Sequence, residues 1–156
     1  MKCLRKITAA VCCAALVMTM GACAQEKTEI NIADTGAAIL EQAEYPEMVD
    51  HSDQADYFYD GVTEYCTEIY LQVNATGGEA DELAIFRLSS AEDADAVKEI
   101  CTARQDALIK AFDGYREEEM PKVENALILS KGDYILFAVT ENTKEAEQIF
   151  QDAFKQ

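Results

Sequence analysis

His51 and Cys66 are residues of this sequence whose side chains could act together as a base and a nucleophile. A thiol becomes reactive when a neighbouring base or cation favours the thiolate, so a Cys66–His51 dyad is one hypothesis. The sequence does not bring the two together, and a solvent-facing strand cysteine is the favoured interpretation. No Gly-x-Ser-x-Gly motif, phosphate-binding glycine loop or paired-cysteine redox motif is present. We therefore predict no catalytic residue.

Segment 47–61 is rich in acidic and aromatic side chains and has no clear periodicity. The residues in it that could bind calcium, mainly through oxygen, are Asp50, His51, Asp53, Asp56 and Asp60. The alternating Asp/Asn positions, central glycine and terminal Glu of a hand-type calcium loop are absent. A solvated acidic loop is therefore the favoured interpretation. We predict no metal and no other cofactor, while binding of a cation by this loop stays open.

Arg104 lies within an otherwise apolar helical stripe, where a charged group needs a partner or an exposed tip. The favoured interpretation is a structural arginine, paired or with its tip in water, and covered by Tyr115. The functional alternative is an anion-binding group beside Tyr115. Arg104 and Tyr115 are thus the candidate ligand-binding residues.

The first 22 residues divide into a basic start, an uncharged stretch and a short run of small residues. The uncharged stretch, 7–20, is shorter than the roughly 20 apolar residues that a spanning helix needs, and fits the core of a signal peptide. Met20-Gly21-Ala22-Cys23 resembles a lipobox, with Met in place of the usual Leu. We therefore expect cleavage before Cys23 and lipid on its sulfur, whereas an ordinary secretory signal is the alternative. Residues 23–32 would form a tether, and 33–156 one globular domain.

The chain has 13 basic and 30 acidic residues and a net charge of −17. Loss of the three signal-peptide charges leaves 10 basic against the same 30 acidic residues, or −20. Such a surface repels phosphate backbones, so we expect no nucleic-acid partner. Basic partners or cations are possible, but a soluble extracellular surface is the favoured interpretation of the charge.

Hydrophobic periodicity predicts the order helix, two strands, helix, two strands, helix. Asp34 can cap the first helix, Ser90 opens a long second one, and Gly114 ends it. The economical arrangement is a two-layer α+β domain, with a four-stranded antiparallel sheet and the helices packed on one face. Cys66 has strand parity opposite to Ile69, so the sheet should separate it from Cys101, and we predict no disulfide.

The sequence resembles domain-of-unknown-function family 4358 over roughly 64–154. The residues that carry the resemblance are Arg104, Phe112-Asp113-Gly114-Tyr115, Glu124-Asn125-Ala126 and Lys131-Gly132-Asp133-Tyr134. The resemblance implies a small lipoprotein, largely of Gram-positive bacteria, and it transfers no catalytic residues.

These features together favour a noncatalytic binding or interaction domain, held by lipid on Cys23 at the extracytoplasmic face of the cell membrane. Its partner would be an envelope protein or a small ligand. The alternatives are a cell-envelope hydrolase and a structural accessory subunit of an envelope complex. A concave pocket at Arg104 would favour ligand binding, clustering of His51 with Cys66 would favour the enzyme, and a flat apolar patch would favour a protein partner.

Overall fold

The computed structural model of the chain describes residues 29–155. The predicted signal peptide, Cys23 and most of the predicted tether therefore lie outside the described residues. Within 29–155, no helix is long and apolar enough to cross a membrane.

Ten main helices and strands make up the described part of the chain. In order they are α1 (Ile32–Gln42), β1 (Met48–Asp50), α2 (Ala55–Phe58), β2 (Cys66–Asn74), β3 (Glu82–Leu88), α3 (Ala94–Phe112), α4 (Met120–Glu124), β4 (Leu127–Lys131), β5 (Tyr134–Val139) and α5 (Thr143–Ala153). Short 3₁₀ turns lie at Ser52–Gln54, Val62–Glu64, Ala91–Asp93 and Glu117–Glu119. The predicted α+β class and order of the longer elements are confirmed.

The sheet has five antiparallel strands in the order β1-β2-β3-β5-β4, and so the prediction of four strands is wrong. The additional strand, β1, pairs Met48 with Asn74 and Asp50 with Gln72 at one edge. It comprises three residues, which is too short for an alternating pattern to reveal it.

Helices cover both faces of the sheet, so the predicted two-layer arrangement is also wrong. On β3, Ala84 and Phe86 face the cluster around α3, whereas Leu83 and Ile85 face the cluster around α1 and α5. Strands buried on both faces have nearly continuous apolar sequences rather than an alternation of apolar and polar residues. Strand β5 is buried at every position from Tyr134 to Val139 for the same reason. We call the two surfaces the α3 face and the α1–α5 face.

Helix α1 begins at Ile32, and its cap is Asn31 rather than the predicted Asp34. The side chain of Asn31 accepts hydrogen bonds from the backbone N–H groups of Ala33 and Asp34, which makes Asn31 the cap. Gly36 brings α1 close to the sheet, because a Cβ at this position would lie 2.2 Å from a ring carbon of Tyr70.

Cys66 and Cys101 are free thiols that belong to the same hydrophobic cluster on the α3 face. The absence of a disulfide agrees with the prediction, but the reason given for it is wrong. A register shift between Cys66 and Glu68 bulges β2 and changes the side on which Cys66 lies. The two thiols are thus not separated by the sheet.

Candidate functional site

Glu82 and Arg104 form a buried ion pair between the start of β3 and the middle of α3. Arg104 Nε donates to Glu82 Oε1 at 3.0 Å, and Nη2 donates to Oε2. The Glu82 side chain is 1 % exposed and that of Arg104 is 17 % exposed. Because both carboxylate oxygens accept from the fork of the guanidinium, the desolvation of the two charges is offset by strong, directional hydrogen bonds.

Tyr59, a buried residue of segment 52–65, completes this network. Its hydroxyl donates to Glu82 Oε1 at 2.5 Å. Burial, and next the charge of Glu82, raise the pKa of Tyr59 well above its ordinary value, so the phenol remains a neutral donor. Burial alone would lower the pKa of Arg104, but its hydrogen bond to Glu82 and the charge of that carboxylate outweigh burial and raise it. Arg104 therefore stays charged.

The sequence places Arg104 in this position through the helical repeat of α3. Val97, Cys101 and Leu108 are buried and lie four and seven residues apart, on one stripe of the helix. Arg104 occupies the remaining place in the stripe and so points toward the sheet. There it meets Glu82, which shares the α3 face with Ala84 and Phe86 on β3.

A cleft of about 510 Å³ opens beside this ion pair, between α3 and segment 52–65. Phe58 and Tyr65 line it on one side, and the guanidinium of Arg104 lies over the Phe58 ring at 5.1 Å. Helix α3 contributes short side chains that leave the space open, and two carboxylates complete the lining. The remaining lining residues are Asp60, Ala96, Glu99, Ile100, Ala103 and Ala107. We call this site the Arg104 cleft.

Segment 47–61 is more regular than the sequence indicated. The Leu71 N–H donates to the hydroxyl of Ser52, and the His51 N–H donates to the Leu71 carbonyl. The Asp56 carboxylate accepts from the N–H and the hydroxyl of Thr63, which joins α2 to the following 3₁₀ turn. These bonds hold Phe58 against Arg104. In residues 29–155, no group of three or more His, Cys, Asp and Glu side chains is arranged to hold a metal ion.

The structure does not bring His51 and Cys66 together. The backbone of His51 pairs with Leu71, which lies five residues along β2 from Cys66, or about 16 Å. The His51 ring instead contacts Phe58 at a centroid distance of 5.0 Å, and its Nδ1 is buried with no hydrogen-bond partner among the described residues. Burial, and then Asp93 and Asp56, raise the pKa of Cys66 to about 12, so its thiol is not activated.

Arg104 and Tyr115 are likewise not brought together. Helix α3 ends about 12 Å along its axis from Arg104, and Tyr115 lies beyond that end and is 69 % exposed. It does not line the Arg104 cleft. The partner of Arg104 is Glu82, which our sequence analysis missed. The available signal was an acidic residue at the start of a continuous apolar strand.

Two other polar sites in the described residues lack the aromatic lining of the Arg104 cleft. A cleft of about 420 Å³ between α1 and α5 has acidic, amide and aliphatic lining residues, but no basic or aromatic one. Near α4, Lys122 bridges Asp81 at 2.7 Å and Glu119 at 2.8 Å, and Glu119 also accepts from the Ala80 N–H at 2.9 Å. These contacts join α4 to the start of β3. The charges of Lys122, Asp81 and Glu119 are paired with one another.

The family model described as a domain of unknown function (DUF4358) matches residues 41–140 of this chain. No curated protein and no solved structure matches it. The matched range contains β1 to β5, α3 and every residue that lines the Arg104 cleft.

Proposed function

This chain belongs to the DUF4358 family of domains of unknown function, and from that premise we propose that it is a lipid-anchored, noncatalytic binding domain. Lipid on Cys23 holds it at the extracytoplasmic face of the cell membrane. The Arg104 cleft is its ligand site.

The observation that carries the binding role is the composition of the Arg104 cleft. It combines aromatic side chains, short side chains and a small number of charged groups in a concavity of about 510 Å³. Sites for small ligands and for single side chains of partners have this combination of apolar wall and few polar groups. The buried ion pair with Glu82 fixes the position of Arg104 in the lining, so this part of the site is formed before a ligand binds.

The noncatalytic role is supported by the chemistry of the same lining. The residues that form the cleft include no serine, threonine, cysteine or histidine. A hydrolase of the serine or cysteine kind needs such a nucleophile beside a base. His51 and Cys66 lie apart, and the Cys66 thiol is held neutral.

Photo-crosslinking in intact cells tests the binding role. A benzoylphenylalanine at position 103, in the cleft, should yield discrete adducts, whereas the same residue at position 37, exposed on α1, should not. The substitution Ala107→Trp fills the cleft and should abolish the adducts from position 103. Equal adducts from the two positions, or adducts from position 103 that persist with Ala107→Trp, would overturn the proposal.

A further inference from the structure

The positive charge of Arg104 is largely neutralised within the protein. Its Nε and Nη2 atoms are hydrogen-bonded to Glu82, and its guanidinium carbon lies over the Phe58 ring at 5.1 Å from the centroid. A second anion would meet a guanidinium whose charge is already compensated by a bidentate carboxylate that is 1 % exposed. Arg104, the basic residue in the lining of the cleft, is therefore a poor receptor for an anionic ligand.

The two carboxylates of the cleft, unlike Arg104, have charges that no ion-pair partner in the described residues neutralises. Asp60 and Glu99 are exposed, and neither forms an ion pair or hydrogen bond within residues 29–155. Since Glu82 compensates Arg104, these two groups leave the site with two unbalanced negative charges. They approach the cleft from different elements, because Glu99 lies on α3 and Asp60 follows α2.

Tyr65 adds an aromatic surface to the same space. Its side chain is half-buried and makes no aromatic stacking or cation–π contact with another side chain of the described region. An aromatic face beside carboxylates is the arrangement that recognises ammonium and guanidinium groups. The excess of acidic over basic residues adds a long-range attraction for cations, although that attraction is not specific to one site.

We propose that the Arg104 cleft binds an organic cation, an ammonium or guanidinium group, between Asp60, Glu99 and the ring of Tyr65. This inference rests on the proposed function, in which the same cleft is the ligand site. The cation is carried by a basic peptide or by a free polyamine, and both present the same chemistry to the cleft.

A tryptophan reporter tests the proposal in the full-length protein in neutral detergent micelles. The chain contains no tryptophan, so Tyr57→Trp introduces a single one beside Phe58, at a side chain that is 86 % exposed and does not line the cleft. Tyr115→Trp provides a matched reporter away from the site. The probes are acetylated tetralysine amide, spermine, acetylated tetraglutamate amide and inorganic phosphate, each at physiological ionic strength.

We expect a saturable fluorescence change with a cationic probe for the Tyr57→Trp reporter and none for the Tyr115→Trp reporter. A response to tetralysine alone assigns a peptide ligand, and a response to spermine assigns a polyamine. In the reporter background, Asp60→Asn with Glu99→Gln should weaken binding about tenfold or more. The control pair, Glu41→Gln with Glu147→Gln, removes the same charge from exposed positions on α1 and α5 and should leave affinity nearly unchanged.

Equal weakening by the two variant pairs would overturn the proposal, because attraction would then reflect overall charge alone. A response to tetraglutamate or phosphate in place of the cations would also overturn it. If no cationic probe binds while crosslinking at position 103 still depends on an open cleft, the cation assignment fails and the ligand site stands. If crosslinking fails as well, the proposed function fails with it.

Discussion

Arg104 and Glu82 lie 22 residues apart in the chain, and their bidentate ion pair joins the middle of α3 to the beginning of β3. The pair is shielded from water by the packing of Tyr59 beneath it and Phe58 beside it. It therefore has two roles in this structure. It attaches the helix to the sheet, and it holds Arg104 in the lining of the Arg104 cleft.

Arg104→Met should destabilise the protein by about 3–5 kcal/mol, because it leaves the Glu82 carboxylate buried without its positive partner. The free energy of unfolding, measured by urea titration, checks this. Arg116 forms an ion pair with Glu118 on the surface, so Arg116→Met is the control and should have a much smaller effect. Replacing Glu82 and Arg104 together by Met should recover much of the loss. Equal effects of the two single substitutions would contradict a buried pair.

Gly36→Ala should destabilise the protein, although alanine is the better helix former. Helix propensity alone favours the substitution by about 1 kcal/mol. The added Cβ would lie 2.2 Å from the Tyr70 ring, and overpacking of this kind costs about 1–3 kcal/mol. Thermal unfolding gives the sign directly. In the Tyr70→Val background, where the ring is absent, the same substitution should become neutral or stabilising; an increase in stability with Tyr70 present would contradict the packing of α1 on the sheet.

Cys66 and Cys101 should resist alkylation in the native protein. With the pKa of Cys66 at about 12, roughly one thiol in 10⁴ to 10⁵ is ionised near pH 7.5, against about a tenth of ordinary thiols. Burial also raises the pKa of Cys101. Mass spectrometry after a brief iodoacetamide treatment should find both unmodified, and both modified in urea. Rapid native labelling of Cys66, or a nonreduced mass two hydrogens lower, would contradict this assignment.

Asp81 and Glu119 both form an ion pair with Lys122. Their contributions to the free energy of unfolding should nevertheless change in opposite directions with pH. Burial raises the pKa of Asp81 despite Lys122. Burial also acts to raise the pKa of Glu119, but the N–H of Ala80 and the ammonium of Lys122 outweigh it and lower that pKa. A depressed carboxyl pKa stabilises the fold above the unfolded-state pKa, and this contribution is lost as pH falls through the folded value. A raised pKa contributes stability at low pH that is lost as pH rises through the folded value.

The free energies of unfolding of Glu119→Gln and Asp81→Asn, each compared with the unsubstituted protein between pH 7 and 3, test these signs. The advantage of the native Glu119 should shrink as pH falls below about 4.5. As the pH falls, the free energy of unfolding of the unsubstituted protein should rise relative to that of Asp81→Asn. This rise should occur over the pH range in which Asp81 becomes protonated in the folded protein, above about 3.9. Parallel pH dependences would contradict the different environments of the two carboxyl groups.

The sequence was informative where a local pattern determines structure. The helical spacing of Val97, Cys101 and Leu108 predicts α3 and places Arg104 within its buried stripe. The paired strand runs predict β2 with β3 and β4 with β5, and both pairings are present. Local patterns of this kind do not depend on distant parts of the chain.

Features that depend on distant contacts were missed. Strand β1 is defined by its pairing with Asn74, Val73 and Gln72 rather than by its own three residues. The bulge that changes the side of Cys66 arises from the pairing of β2 with β3. The Arg104 cleft is lined by residues of segment 52–65 and of α3, and Glu82 of β3 holds Arg104 in place, so no single sequence window contains the site. The continuous apolar sequences of β3 and β5 indicate a sheet that is covered on both faces. The prediction instead placed all the helices on one face.

Metabolic labelling with an alkyne fatty acid, in a bacterial host that processes lipoproteins, tests most directly the claim that lipid on Cys23 anchors the domain. The unsubstituted protein and the control Cys13→Ala should both incorporate the label and sediment with membranes. Cys23→Ala should lose the label and either leave the membrane fraction or remain unprocessed. Labelling of Cys23→Ala at the level of the unsubstituted protein would contradict the proposed anchor.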